Sequence, residues 1–300
     1  GLVSGSFGWE WVFWINVPVI IASLCLVSRF SKESKNRIDL PLVDYKGMFY
    51  LAITLSSFVL VVTEFRLLPQ EISGLLILLA LVGFYLLWKH ERKFSSPIIL
   101  KELASNQIFI AGSFASGCLI FYIWSNFFLL PLYFQDIRGL TALMSGLLML
   151  GVTLPVVVLS PLIGMYYRSE SAWFMIMFGF ILLIASSYLQ MFFTDESSLL
   201  LMILSTTLFG VGYSFICSPS ATVAISTVSV EKAGIASGSF VTIQELGGTF
   251  GLAIIISYVR YFPDLITGFQ QGMQALLYVG VLGVFSALFL IRSTSVVRYK

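Results

Sequence analysis

The chain has 300 residues, of which 58% are hydrophobic and only 11% are charged, and its mean hydropathy is +0.95. An average soluble domain is about one quarter charged, so this composition excludes a soluble globular protein and predicts an all-α membrane protein. The formal net charge of +2 leaves no basic stripe to meet phosphates, which excludes a nucleic-acid partner.

Nine stretches are apolar and about 20 residues long, the length that crosses a hydrocarbon core of about 30 Å. In chain order they cover residues 9–27, 47–65, 72–88, 108–134, 142–167, 172–193, 199–228, 235–261 and 273–291. The sequence therefore predicts a multi-pass bundle of nine transmembrane helices surrounded by the lipid bilayer.

Lysine and arginine residues are divided unevenly between the alternate loops that join these spans. Of the 17 in the chain, all but Arg66, Arg138 and Arg260 fall on one side. Cytoplasmic loops carry an excess of Lys and Arg, so we place the basic side and the carboxyl terminus in the cytoplasm.

The cysteine and histidine content argues against an enzyme. Cys25, Cys118 and Cys217 lie in apolar spans at unrelated spacings, so we predict neither a disulfide framework nor a metal site. The only histidine, His90, is predicted to lie in a cytoplasmic loop. No span therefore supplies the histidine of an intramembrane serine protease or the pair of an H-E-x-x-H metalloprotease.

Glu245 is the ionisable residue predicted to lie farthest from both membrane interfaces. On a helix, its face is made of Gly234, Ser237, Gly238, Val241, Gly248, Thr249 and Leu252. Small residues let membrane helices approach closely, and an intramembrane carboxylate usually faces a bundle interior or a water-filled cavity. We predict that this helix lines a cavity and that Glu245 binds a proton or a cation. The alternative is a protonated carboxylic acid satisfied by a neighbouring helix.

We predict that a group of aromatic and amide side chains lines a substrate cavity. They are Tyr122, Trp124, Asn126, Tyr133, Gln135 and Gln244. Tyr122 and Asn126 are four residues apart and share a helix face. An aromatic ring beside an amide suits apolar or cationic organic molecules, through cation–π attraction and an orienting hydrogen bond. The alternative is interhelical packing, with Asn126 as a polar link between helices.

Helix-breaking residues lie where a rocking transporter could bend. The candidates for hinges and gates are Pro155, Pro161, Gly164, Arg168 and Gly248. Prolines and glycines permit kinks whose freed backbone groups neighbouring helices satisfy. Because both residues are frequent in membrane helices, ordinary packing is the alternative.

Four stretches together resemble one family of transporters. They are GLVSGSFGWEWVFWINVPV at the start, LPLYFQDIRGLTALMSGLLML from Leu130, SPLIGMYYR from Ser160 and GIASGSFVTIQELGGTFGLAI from Gly234. They are similar to motifs of the fourteen-helix drug:proton antiporters of the major facilitator superfamily, the EmrB/QacA subfamily. Two positions depart from that pattern: Glu10 replaces an arginine of the outer loop, and Tyr167 replaces the aspartate of a cytoplasmic turn.

The resemblance implies a proton-coupled antiporter of the bacterial cytoplasmic membrane that exports drugs or other small organic compounds. No cofactor is expected, because the proton motive force drives exchange. It also implies a carboxyl-terminal fragment lacking about five helices, with the missing amino-terminal half of the same protein as its partner. Residues 1–30 would then close the first six-helix domain, 31–106 would form a linker with two extra helices, and 107–300 would form the second six-helix domain.

The sequence leaves three further matters open. A periplasmic adaptor is compatible with the resemblance but has no signal in these residues. A siderophore or metabolite exporter would have the same fold, and so would a truncated membrane protein that transports nothing.

Overall fold

The computed structural model describes residues 8, 10–30, 44–64, 67–94, 101–229 and 232–297. The matches to family motifs at Gly1 and Trp9 lie outside these ranges, as do the predicted linker residues 31–43. Nine helices in the described part are long and apolar enough to cross a membrane, which confirms the predicted all-α membrane architecture.

We number these helices α1 to α9 in chain order. They are α1 (Trp11–Phe30, interrupted at Ile15), α2 (Tyr45–Glu64), α3 (Gln70–Glu91), α4 (Gln107–Leu132), α5 (Ala142–Tyr166), α6 (Ala172–Gln190), α7 (Leu199–Ile225), α8 (Ala233–Val259) and α9 (Leu265–Val297). A π-helical turn, Tyr133–Ile137, continues α4 at its carboxyl end. A one-turn helix, Lys101–Ala104, precedes α4.

Short polar side chains fix where several of the helices begin. Asn106 accepts hydrogen bonds from the backbone N–H groups of Ile108 and Phe109 at 3.0 and 3.2 Å, and thereby caps α4. Thr141 and Ser198 cap α5 and α7 in the same way. Such caps satisfy backbone donors that have no partner within the helix.

Two predicted boundaries are wrong. The ninth span was predicted from residue 273, but α9 begins at Leu265 because Asp264 caps it, its Oδ1 accepting the Thr267 N–H at 2.7 Å. Residues 267–272 are helical, although their glycines and glutamines make this stretch less apolar than the predicted span that follows it. His90 was predicted in a loop but lies in the last turn of α3.

The last six helices form one bundle around α4. Helix α4 packs against α7, α8 and α9, while α7 also packs against α5 and α6, and α6 against α9. Most residues of α4 are buried. Because α4 is apolar around its whole circumference, this central position matches its sequence.

Helices α4 and α8 cross at glycines. A Cβ at Gly247 would overlap the backbone of Gly117, and one at Gly251 would overlap the ring of Phe121. Without a hydrophobic driving force between helices in lipid, such close backbone contact is a main source of association. The crossing therefore fixes the position of α8 relative to the bundle.

Helices α2 and α3 form a hairpin that attaches to the bundle through α2. Gly83 of α3 lies directly against Thr54 of α2. The ring of Phe58 meets that of Phe250 on α8 edge-on, with centroids 4.7 Å apart. All residues described in α1, by contrast, are exposed.

Candidate functional site

Glu245 lies near the middle of α8, as predicted, and its side chain is exposed. Gly234, Gly238 and Val241 on the same face are also exposed, and a Cβ at either glycine would meet nothing within 4 Å. We call this the open face of α8. Among the described residues Glu245 has no ion-pair partner, so its carboxylate is available to a ligand or to another part of the protein.

Trp124 approaches the open face from α4. Gly248, one turn beyond Glu245, lies against its indole, which a Cβ at that position would approach to 3.0 Å. Trp124 is 37% exposed, and Gln244, the neighbour of Glu245 in sequence, is partly exposed. Trp124 therefore contacts α8 one turn from Glu245.

Tyr122 points away from that region into the bundle. It is fully buried, its hydroxyl donates to the Leu183 carbonyl at 3.0 Å, and Ser187 donates to the same hydroxyl at 2.8 Å. Phe209 of α7 packs edge-on against its ring. Tyr122 thus links α4 to α6 and α7, which favours packing over substrate contact in this conformation.

Asn126 is also fully buried, but it lacks the hydrogen bonds that Tyr122 makes. Neither polar atom of its amide has a hydrogen-bond partner among the described residues. Gln190 nearby donates to Ser186 at 3.2 Å but leaves its own carbonyl oxygen unpartnered. An unpaired buried amide costs about 1–3 kcal/mol.

Tyr133 and Gln135 lie on the π-helical turn at the carboxyl end of α4. Tyr133 is buried between Phe193 and Phe269, and its hydroxyl donates to the Thr194 carbonyl at 2.5 Å. Gln135 is exposed. The two are therefore separated from Glu245 by several turns of helix.

Of the predicted hinge and gate residues, Gly248 lies in α8, whereas Pro155, Pro161, Gly164 and Arg168 lie within or beside α5. Pro155 and Pro161 are both inside the helix, and Ser214 of α7 donates to the Pro155 carbonyl at 3.4 Å. Arg168 is exposed just after α5. Beside it, burial raises the pKa of the Tyr167 phenol, whose hydroxyl has no hydrogen-bond partner within the described ranges.

A groove of about 290 Å³ lies between α4, α8 and α9. It is lined by Phe121, Ile254, Ile255, Tyr258, Gln274, Ala275, Tyr278 and Val279. None of the residues predicted for the substrate cavity lines it. This groove is therefore not the predicted substrate cavity.

One polar pair was not predicted from the sequence. His90 Nε2 lies 2.7 Å from Asp44 Oδ1, and the same oxygen accepts the Gly47 N–H at 2.8 Å. The side chain of Asp44 is only 7% exposed. Their separation of 46 residues in the chain gives no local signal, since only the hairpin brings them together.

The fold defines a multi-pass helical membrane protein, and one of its membrane-length helices carries a carboxylate near its middle. The profile of the Major Facilitator Superfamily matches residues 1–252, and the chain therefore belongs to that superfamily.

Curated relatives of the chain include proteins named for resistance and for transport. It is 28% identical over 262 residues to the multidrug resistance protein Stp of Mycobacterium tuberculosis, covering 85% of this chain and 48% of that protein. It is 24% identical to the quinolone resistance protein NorB of Staphylococcus aureus, covering 97% of this chain and 64% of the relative. It is 26% identical to the riboflavin transporter RibZ of Clostridioides difficile, covering 86% of this chain and 56% of that protein. The chain thus spans about half to two thirds of the length of these relatives.

Proposed function

We propose that the chain is the carboxyl-terminal part of a proton-coupled secondary transporter that exports small organic compounds by alternating access. The observation that carries the proposal is Glu245, near the middle of α8 on its open face, in a chain that belongs to the major facilitator superfamily. Carboxylates within membrane spans are costly and mark ion or substrate pathways.

The finer assignment is to the fourteen-helix EmrB/QacA subfamily. In its support, a separate two-helix hairpin, α2–α3, lies in the chain between α1 and the six-helix bundle α4–α9. In this proposal residues 1–30 end the first domain, 31–106 hold the extra helices and 107–300 form the second domain. The protein lies in the bacterial cytoplasmic membrane with its carboxyl terminus in the cytoplasm.

In the proposed cycle the open face of α8 borders a central pathway completed by helices outside this chain. Glu245 is neutral when it holds a proton and negative when it has released one. A carboxylate within a membrane span marks an ion or substrate pathway, so the cycle assigns binding of a proton or a cation to Glu245. Trp124, beside Gly248, supplies an aromatic surface next to this carboxylate.

A metabolite exporter is the second candidate. The observation that favours it is the similarity to a protein named as a riboflavin transporter. A drug exporter should lower the accumulation of many unrelated compounds in cells, whereas a metabolite exporter should act on one chemical class. Accumulation assays in a strain lacking the gene separate the two.

The proton-coupling role is tested with Glu245→Gln in the intact protein. In inside-out vesicles given a pH gradient, we expect substrate uptake to fall at least tenfold, because glutamine has the shape of the protonated acid but cannot release a proton. The matched control is Glu71→Gln, which removes an exposed carboxylate at the start of α3. Equal coupling in both variants would remove Glu245 from the mechanism.

The same vesicles test the alternative of a truncated protein that transports nothing. Expression of the 300-residue chain alone is compared with expression of the intact protein. We expect transport from the intact protein and none from the chain alone. An intact protein that transports nothing across a broad substrate panel would favour the truncated-protein alternative.

A further inference from the structure

The hairpin α2–α3 is held together by Asp44 and His90 at the end opposite its short connection. The bond of 2.7 Å between them joins the start of α2 to the last turn of α3. The imidazole stacks on Phe94, with centroids 5.1 Å apart, and meets Tyr50 edge-on. Gly47 allows the carboxylate to fold over the helix start, since a Cβ there would overlap Asp44 Oδ2. The two helix ends are therefore fixed side by side.

Four cations surround this pair. Lys46 lies two residues after Asp44, while Lys89, Arg92 and Lys93 lie within three residues of His90, and all four are exposed. The acidic residue Asp44 is buried against His90, and Glu91 is partly buried. The exposed charges that the structure describes at this end of the hairpin are therefore mostly positive.

Helix α8, which packs on α2, brings no counter-charge to this end. Its Lys232 pairs with Glu102 at 2.6 Å, and its flanking Arg260 lies 3.7 Å from Glu64 at the other end of the hairpin. Glu245 is in the middle of the helix. Within the described residues, the positive surface is therefore not neutralised by the helix packed against it.

Aromatic rings place these cations at the membrane interface. The guanidinium of Arg92 lies 3.8 Å from the ring centroid of Trp88, whose indole is 46% exposed. Tyr45, one residue before Lys46, is 76% exposed. Exposed Trp and Tyr side chains at the end of a membrane helix lie at the level of lipid headgroups. The cations beside them are thus at the depth of the lipid phosphates.

We propose that this end of the hairpin, formed by Lys46, Lys89, Arg92 and Lys93 around the Asp44–His90 bond, binds the headgroup of an anionic phospholipid. The argument is charge complementarity at headgroup depth, on two helix ends held in register by a buried bond. Basic residues in a last helical turn also stabilise the helix itself. That effect changes stability but gives no preference among lipids, so lipid preference is the decisive measurement.

The test uses the purified intact protein in detergent. The probes are short-chain phosphatidylglycerol and phosphatidylcholine of equal chain length, with binding measured by titration at several salt concentrations. We expect the wild type to prefer phosphatidylglycerol. We expect Lys89→Gln/Lys93→Gln to weaken that preference about fivefold for each lysine removed, which corresponds to about 1 kcal/mol per basic residue near an anionic surface. Rising salt should weaken binding as well.

The matched control for Lys89→Gln alone is Arg168→Gln, which removes one exposed cation just after α5, a helix that packs on α7. It should keep the preference. We expect His90→Ala to lower the preference for phosphatidylglycerol severalfold although all four cations remain, because the two helix ends are no longer held together. Equal loss in the control, equal binding of both lipids by the wild type, or competition by inorganic phosphate at the lipid's own concentration would each overturn the proposal.

Discussion

Because Gly247 has no side chain, α8 can approach α4 closely at this position. Its Cα faces the backbone of Gly117, and a Cβ there would overlap the carbonyl. Gly238, on the open face of the same helix, has nothing within 4 Å of a Cβ. The two glycines look alike in the sequence but differ in what surrounds them.

We expect Gly247→Ala to destabilise the protein by about 1–3 kcal/mol, the usual cost of forcing extra volume into a packed contact. Gly238→Ala should be neutral or stabilise by about 0.5–1 kcal/mol, because alanine loses less conformational entropy than glycine in a helix. The measurement is the unfolding midpoint of the purified protein in detergent. Equal midpoints for the two variants would contradict the close crossing of α4 and α8.

The depth of Glu245 in the membrane could be predicted from the sequence, but its surroundings could not. Hydropathy places it in the middle of a span, and the structure agrees. Whether the carboxylate meets water, lipid or another helix depends on packing between segments far apart in the chain. For Tyr122, the sequence gave no indication that its side chain faces α6 and α7.

At the scale of the helices, the sequence predicted which helices exist better than it predicted where they begin and end. Eight of the nine spans were placed within a few residues, because about 20 apolar residues in a row have few other structures available. The start of α9 was missed by eight residues, from 273 to Leu265. There the decisive signal was a capping aspartate, Asp264, rather than hydropathy.

The cap of α9 gives a prediction about pH. The Thr267 N–H donates to the Asp264 carboxylate and lowers its pKa from the usual value near 4. A carboxylate with a lowered pKa stabilises the fold above its unfolded pKa, and this contribution is lost as the pH falls through the folded value. We therefore expect protection of the first-turn amides of α9 to drop as the medium is acidified below about pH 4.

Hydrogen exchange at Thr267, expressed as a protection factor, measures this effect. Asp264→Ala should lower protection at all pH values, because the acceptor is gone. Asp264→Asn should keep the cap and lose the pH dependence, since asparagine caps helices well and does not titrate. A pH response in Asp264→Asn equal to that of the wild type would assign the effect to another group.

At the scale of the whole molecule, composition and charge bias predicted the membrane architecture, whereas packing around α4 came only from the structure. The Asp44–His90 bond is an example: each residue is ordinary in its own segment, and the hairpin brings them together. The central place of α4 is another, because its neighbours α7, α8 and α9 all come later in the chain.

The membrane orientation is the last prediction. Three spans, α4, α5 and α6, separate Lys93 from Glu196, so these two exposed residues must lie on opposite sides of the membrane. From the excess of Lys and Arg we predict that Lys93 is cytoplasmic and Glu196 is outside. In the intact protein with Cys25, Cys118 and Cys217 replaced, we expect Glu196→Cys to react with a membrane-impermeant maleimide in whole cells. Lys93→Cys should react only after permeabilisation. The reverse pattern would invert the orientation, and labelling of both in whole cells would contradict three spans between them.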